Sequence, residues 1–386
     1  MLGNILGKVF LLGRKRYFDY SLLLIIIFLT LFGLIMIYSA SSYNASVKFQ
    51  DSAYFLSKQA KCALIGFVLM IIISFLDYHV YTRLFWLGYG GAIALMIVTF
   101  AFGRASHGAR RWIYVGSLSI QPAEIVKVFL IVFLAAYLYK KGKKINSPGQ
   151  MAILALFYCV PTVLVMANNW SSGFILLSIA FVVTFVATKY RAVYAVLLSV
   201  AVLVLTAAAP VLERVIYFLQ SRNHNSFRFQ RILVWLDPEQ YRLEGGFQVL
   251  QGLYAVGTGG FLGKGLGQGL QKLTLPEAQN DMIFAIICEE LGLFGAALIL
   301  ICFGFLLFRC LLIATSAPDL LGSLLVIGVI GHVAVQVIFN VSVVTNMIPN
   351  TGVILPFISA GGTSLIFLMC EMGMVLGVSR TIKLEY

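Results

Sequence analysis

Residues 20–41 read YSLLLIIIFLTLFGLIMIYSAS, an uncharged run. A helix that crosses a bilayer needs roughly 20 mostly apolar residues, and this run supplies them. It is too long for a signal-peptide core, and no convincing cleavage site precedes the next polar stretch, so it reads as a retained span. Nine further runs of similar character follow, at about 58–76, 83–102, 121–139, 150–167, 172–188, 192–213, 282–308, 321–344 and 363–379. The expected fold is therefore an all-α polytopic membrane protein of about ten transmembrane helices. Residues 1–386 form a single membrane domain, and the one long connection is the loop 214–281.

Composition agrees with that reading. The chain has 386 residues, of which 60% are hydrophobic and 11% charged. Soluble domains are charged at about a quarter of their positions, so lipid is the solvent here. The net charge of +13 does not indicate nucleic acid. Its lysines and arginines sit in short clusters between apolar spans, a pattern that suits anionic headgroups and fixes orientation. The clusters RKR at 14–16 and KKGKK at 140–144 decide that orientation. Both termini are expected in the cytoplasm and the 214–281 loop outside. The six cysteines lie in or at the ends of apolar spans without a CxxC pair, so neither a disulfide framework nor a zinc site is expected.

Charges inside spans are costly and usually line cavities or pathways. Glu124 and Lys127 stand three apart at the start of the fourth span and can pair, either to fix that helix or to wall a cavity. In the eighth span, Glu289 stands eight residues after Asp281 and would share its helical face, leaving Glu290 toward another helix or the headgroups. Glu371 lies in the tenth span. The ninth span carries His332, Gln336 and Asn340 at intervals of four, a polar stripe that suits hydrogen bonding between helices.

The outer loops are richer in chemistry. Residues 103–127 read GRASHGARRWIYVGSLSIQPAEIVK. Arg110 and Arg111 beside Trp112 suit either bidentate phosphate binding or an interfacial belt. In the long loop Arg228 and Arg231 stand three apart. A glycine-rich stretch from Gly257 to Gly269 reads as flexible, with Lys264 and Lys272 in or beside it. It is no P-loop, because Thr258 stands where the first glycine should be and Gly265 follows the lysine. Asp281 stands at the mouth of the eighth span, where capping and catalysis are both open.

Six segments carry a family resemblance: GARRWI (108–113), QPAEIVK (121–127), LDPE (236–239), FQVLQGLYAVGTGGFLGKGLGQGLQK (247–272), LPEAQNDMIFAIICEELGLFG (275–295) and PNTGVILPFISAGGTSL (349–365). In this order they resemble the signatures of the SEDS proteins, the FtsW, RodA and SpoVE family. QKLTLPE and PNTG…LPFISAGG look more like the FtsW and SpoVE branch than the RodA branch. The resemblance implies a peptidoglycan glycosyltransferase that polymerises lipid II in the bacterial cytoplasmic membrane, with a class B penicillin-binding transpeptidase as partner. It places the essential aspartate of the LPExxxD motif at Asp281, and the first-motif pair at Arg111 and Trp112. It also brings Gln121, Glu124, Lys127 and Glu277 into the substrate site.

Such a reaction needs cations for a pyrophosphate leaving group, which Arg110, Arg111, Lys264, Lys272 or a divalent metal (Mg2+ or Mn2+) would provide. It needs a carboxylate as base or metal ligand, and Asp281 is the candidate for both. A lipid II transporter and a non-catalytic scaffold are the alternatives. Two departures stand out. Gln279-Asn280 replaces the family's usual His-Thr, and NNWSSG (168–173) lacks the usual aspartate.

Overall fold

The structure, a computed structural model, describes residues 17–106, 109–115, 118–190, 192–194, 196, 199 and 227–382. Three helices lead the chain: α1 (Tyr20–Phe49), α2 (Tyr54–Phe75) and α3 (Tyr81–Phe102). The segment expected as a bare loop then folds into a three-stranded antiparallel sheet, β1 (Arg104–Ser106), β2 (Ala109–Val115) and β3 (Leu118–Ile120). Next come α4 (Pro122–Lys141), α5 (Pro148–Asn168) and α6 (Trp170–Ala187). Most of the expected seventh span, 192–213, lies outside the described residues, as does the loop from 214 to 226. The remainder of the long loop is not featureless, since it holds α7 (Phe227–Leu236) and α8 (Gly246–Thr258). The chain ends with α9 (Ile283–Ser316), α10 (Leu320–Val344) and α11 (Thr363–Ser379).

Among the described residues, eight helices are long and apolar enough to span a membrane, and the shorter α11 is a ninth apolar helix. Local chemistry sets their ends. Pro122 and Pro148 sit at the first positions of α4 and α5, where a missing N–H costs nothing. Asp19 caps α1 by accepting from Leu22 N (2.9 Å), and Asp319 caps α10 by accepting from Gly322 N (2.8 Å).

The most buried spans are α4 and α10, which pack together at the centre with α6 and α11 against them. Lipid does not drive apolar surfaces together, so close packing must supply the association. Gly373 of α11 shows how: a Cβ there would stand 2.7 Å from the Met70 carbonyl of α2. On the outside, Leu24, Leu31, Leu64, Leu87 and Ile301 are exposed, as lipid-facing positions should be.

One span is broken. In α9 the backbone at Gly292 turns to φ 68°, ψ −169°. A Cβ at Gly292 would stand 2.3 Å from Gly263 N, so the glycine-rich loop lies directly against the break. Four backbone bonds join the two: Lys264 N to Glu289 O (3.0 Å), Gly265 N to Glu290 O (2.9 Å), Leu293 N to Gly260 O (2.9 Å) and Phe294 N to Phe261 O (3.1 Å). The loop thus satisfies groups that the broken helix leaves open, as apolar surroundings require. The expected flexible segment is instead bonded in place against the break in α9.

Candidate active site

The chain between α10 and α11 dips back into the helix bundle. Residues 345–362 read TNMIPNTGVILPFISAGG. Val353, Leu355, Phe357 and Ile358 of this segment are buried, with Phe357 held at φ 62°. Irregular backbone at this depth is tolerated only where partners are found. Gln336 of α10 donates to Ile354 O (3.1 Å), and Gln59 of α2 donates to Ser359 O (3.1 Å) while accepting from Gly362 N (3.0 Å). Asn340 donates both to Val353 O and to Asp281 O, each at 2.8 Å. One amide therefore fixes the backbone of the re-entrant segment and of Asp281 together. The polar stripe on α10 serves this loop more than its neighbouring helices. Only His332 reaches across to a helix side chain, that of Glu371 in α11, at 2.7 Å.

Above this floor lies a cavity of about 430 Å³, within the range of ligand-sized pockets. Its walls bring together, of the residues singled out in the sequence, Arg111, Trp112, Gln121, Glu124, Lys127, Arg231, Glu277 and Asp281, with Gln336 of the α10 stripe. Arg111 comes from β2, where its Nε donates to Asn168 O of α5 (2.8 Å). Glu124 and Lys127 come from the first turns of α4 and form an ion pair at 2.8 Å. The two readings of that pair, structural and cavity wall, are compatible. Arg231 reaches in from α7.

Asp281 precedes α9, whose cap is Met282 without a side-chain capping bond. Its carboxylate therefore is not occupied in capping and borders the cavity. It lies within reach of Gln248 Nε2 at 3.4 Å. Burial raises its pKa from 3.8 to about 6. The charge of Glu277 pushes the same way, while Arg231 and the N–H groups of Asp281 and Met282 oppose it.

Other expectations are corrected. Lys264 and Lys272 do not wall this cavity. Lys264 pairs with Glu289 (2.8 Å) and Lys272 with Glu290 (2.7 Å), so both charges are neutralised beneath the glycine-rich loop. Glu289 does not face Asp281. Asp281 lies outside the helix, so the eight-residue spacing has no helical meaning, and Glu289 instead accepts from Leu270 N (2.9 Å). Glu290 meets Ser39 of α1 (2.7 Å), which agrees with its expected orientation toward another helix. Arg110 and Arg228 lie on β2 and α7, and their side chains fall outside the described residues.

The sequence reading missed several wall residues: Asn169, Ser171, Ser172, Gln248, Asn350 and Thr351. The first three belong to NNWSSG, where Ser171 donates to Thr351 O at 2.7 Å. A polar cluster at the head of an apolar span was the available signal.

A family model described as "Cell cycle protein", for FtsW, RodA and SpoVE, matches residues 20–384. Stage V sporulation protein E of Bacillus subtilis (strain 168) is 38% identical over 382 residues, covering 95% of this chain and 98% of its own. The probable peptidoglycan glycosyltransferase FtsW of Geobacter sp. (strain M18) is 35% identical over 379 residues, covering 96% and 99%. A solved chain described under "Structural coordination of polymerization and crosslinking by a peptidoglycan synthase complex" superposes with TM-score 0.75 at 28% identity, over 94% of this chain and 98% of its own. The Rod shape determining protein RodA of Thermus thermophilus superposes with TM-score 0.68 at 24% identity, over 95% and 98%, a likeness of fold.

Proposed function

This chain belongs to the FtsW, RodA and SpoVE family and is a multi-pass peptidoglycan glycosyltransferase of the bacterial cytoplasmic membrane, and we propose that it polymerises lipid II in the cavity around Asp281. One observation carries this reading: a buried carboxylate with raised proton affinity lines the same pocket as Arg111, Lys127 and Arg231. The pocket is the wall of a site that must bind an anionic, lipid-linked sugar and remove one proton.

In the proposed reaction the C4 hydroxyl of one lipid II gives its proton to Asp281. Its oxygen then bonds to C1 of the lipid-linked glycan, and the C1–O bond to pyrophosphate breaks. The leaving polyprenyl pyrophosphate takes the electron pair, and Arg111 and Arg231 stabilise the charge that develops on it. A base with a pKa near 6 is ionised at neutral pH yet basic enough to accept the proton. Trp112 offers an apolar face beside these cations. The buried α4 residues Leu130, Ile131, Phe133 and Leu134 close the bundle beneath Lys127. That floor suits an enzyme fed from one side better than a transporter.

A divalent cation fits the donor set, because Glu277 and Asp281 are two carboxylates on one wall whose charges repel. Magnesium commonly takes one or two carboxylates, waters and substrate phosphate. Bound by Asp281 and Glu277, Mg2+ or Mn2+ would neutralise pyrophosphate charge.

The pocket end of the bundle is assigned to the extracytoplasmic side and the Lys140–Lys144 end to the cytoplasm, by the excess of short-loop lysine there. A class B penicillin-binding transpeptidase is the proposed partner, since the similar solved chain is described within a complex that couples polymerisation to crosslinking. The deciding experiment is lipid II polymerisation by the purified protein, with and without such a partner. Glycan strands from the wild type and none from Asp281→Asn are expected. Equal activity of the two would overturn the assignment.

A further inference from the structure

Behind the active-site cavity, on the side toward α11, lies a second and much smaller space of about 10 Å³. That is room for about one water molecule. Glu124, Gln336, Ile354, Gly361 and Ser364 wall both spaces, so the small one adjoins the large one. His332 walls only the small one.

His332 is 2% exposed and Glu371 fully buried, both at membrane depth. His332 Nδ1 meets Glu371 Oε2 at 2.7 Å, yet His332 Nε2 and Glu371 Oε1 have no hydrogen-bond partner. A buried polar atom without a partner costs on the order of 1–3 kcal/mol, so such atoms normally have one. A water in the adjoining space would supply it.

Glu124, which borders the small space, is paired with Lys127 at 2.8 Å.

We propose that an ordered water between His332 Nε2 and Glu124 links the His332–Glu371 pair to the Glu124–Lys127 pair and positions the latter in the wall of the catalytic cavity. His332 and Glu371 are positioning residues, and the inference rests on the cavity being catalytic only for its activity readout. Without that water the Glu124–Lys127 pair loses its tie to α10 and α11, so polymerisation should slow through kcat.

The first test needs no activity. A high-resolution experimental structure should show a water within hydrogen-bond distance of His332 Nε2, and an empty space there would overturn the inference. The second test is lipid II polymerisation by variants that elute as monodisperse protein. Glu371→Gln and His332→Gln should each lower kcat about tenfold with KM little changed. Leu368→Phe fills the small space without touching an ionisable group and should lower kcat in the same way. A folded Leu368→Phe with the wild-type kcat would overturn the water link. A loss that falls on KM rather than kcat in the two polar variants would make the pair merely structural. Failure of the catalytic reading looks different, since Asp281→Asn would then remain active.

Discussion

At the residue scale the proposed chemistry turns on Asp281, whose burial costs stability. Its carboxyl is raised from 3.8 to about 6 chiefly by burial, so the folded state favours the protonated form. Below pH 3.8 the group is protonated in both folded and unfolded chains and contributes nothing. Between about 4 and 6 the unfolded chain ionises first, and folding is progressively penalised; above 6 the penalty is complete. Each pKa unit is worth about 1.4 kcal/mol, so roughly two units amount to about 3 kcal/mol. In chelator, Asp281→Asn should therefore melt higher than wild type at pH 7.5, and the gap should close by about pH 4. The same variant should lose roughly 10²–10⁴-fold of the polymerisation rate. An equally stable or less stable variant at neutral pH would remove burial as the dominant influence on this group. Asp281 was legible in the sequence because LPExxxD is a strong motif. Its freedom from capping was not, because that depends on where α9 starts, one residue beyond Met282. The wall residues Asn350 and Thr351 were hidden too: nothing local says that 345–362 folds back into the bundle, and tertiary bonds such as those from Gln59, Gln336 and Asn340 hold it there.

At the scale of elements, the broken α9 and the loop it carries form a second unit of behaviour. Lys272 donates to Glu290 (2.7 Å), Ser39 (3.2 Å) and Gly267 O (2.7 Å), so α1, α9 and the glycine-rich loop meet at one buried charge pair. Removing one partner of such a pair costs about 3–5 kcal/mol, whereas replacing both with apolar residues is often neutral. Glu290→Gln alone should sharply lower the thermal midpoint in detergent. Glu290→Leu with Lys272→Met should recover most of it. A double variant as unstable as the single would show that loop geometry, not uncompensated charge, is what the pair maintains. The sequence misled here for a definite reason. Lysines in a glycine-rich loop suggest phosphate binding, but partners 18 and 25 residues away, Glu290 for Lys272 and Glu289 for Lys264, are set by tertiary packing. Helical spacing says nothing about a loop laid against a break.

For the whole molecule, the apolar runs gave the helix order well, because hydropathy over roughly 20 residues is a property of the sequence alone. The lysine clusters lead to an expected orientation of the bundle, and it can be tested directly. In a background without native cysteines, a cysteine at Leu243, which is fully exposed, should react with an impermeant thiol reagent in intact spheroplasts. One at Lys143 should react only after lysis. The opposite pattern would invert the assigned sides. The small sheet at 104–120 was not legible, being too short for a period-two pattern to stand out among interfacial aromatics. What unites these scales is the spread of the cavity wall along the chain, from Arg111 in β2 to Ser364 in the first turn of α11. A nascent chain emerging from the ribosome therefore has no complete site until its last helix has been inserted. Membrane insertion itself completes the proposed site, and a chain released early, short of residue 363, is expected to be inert however well its preceding helices are threaded.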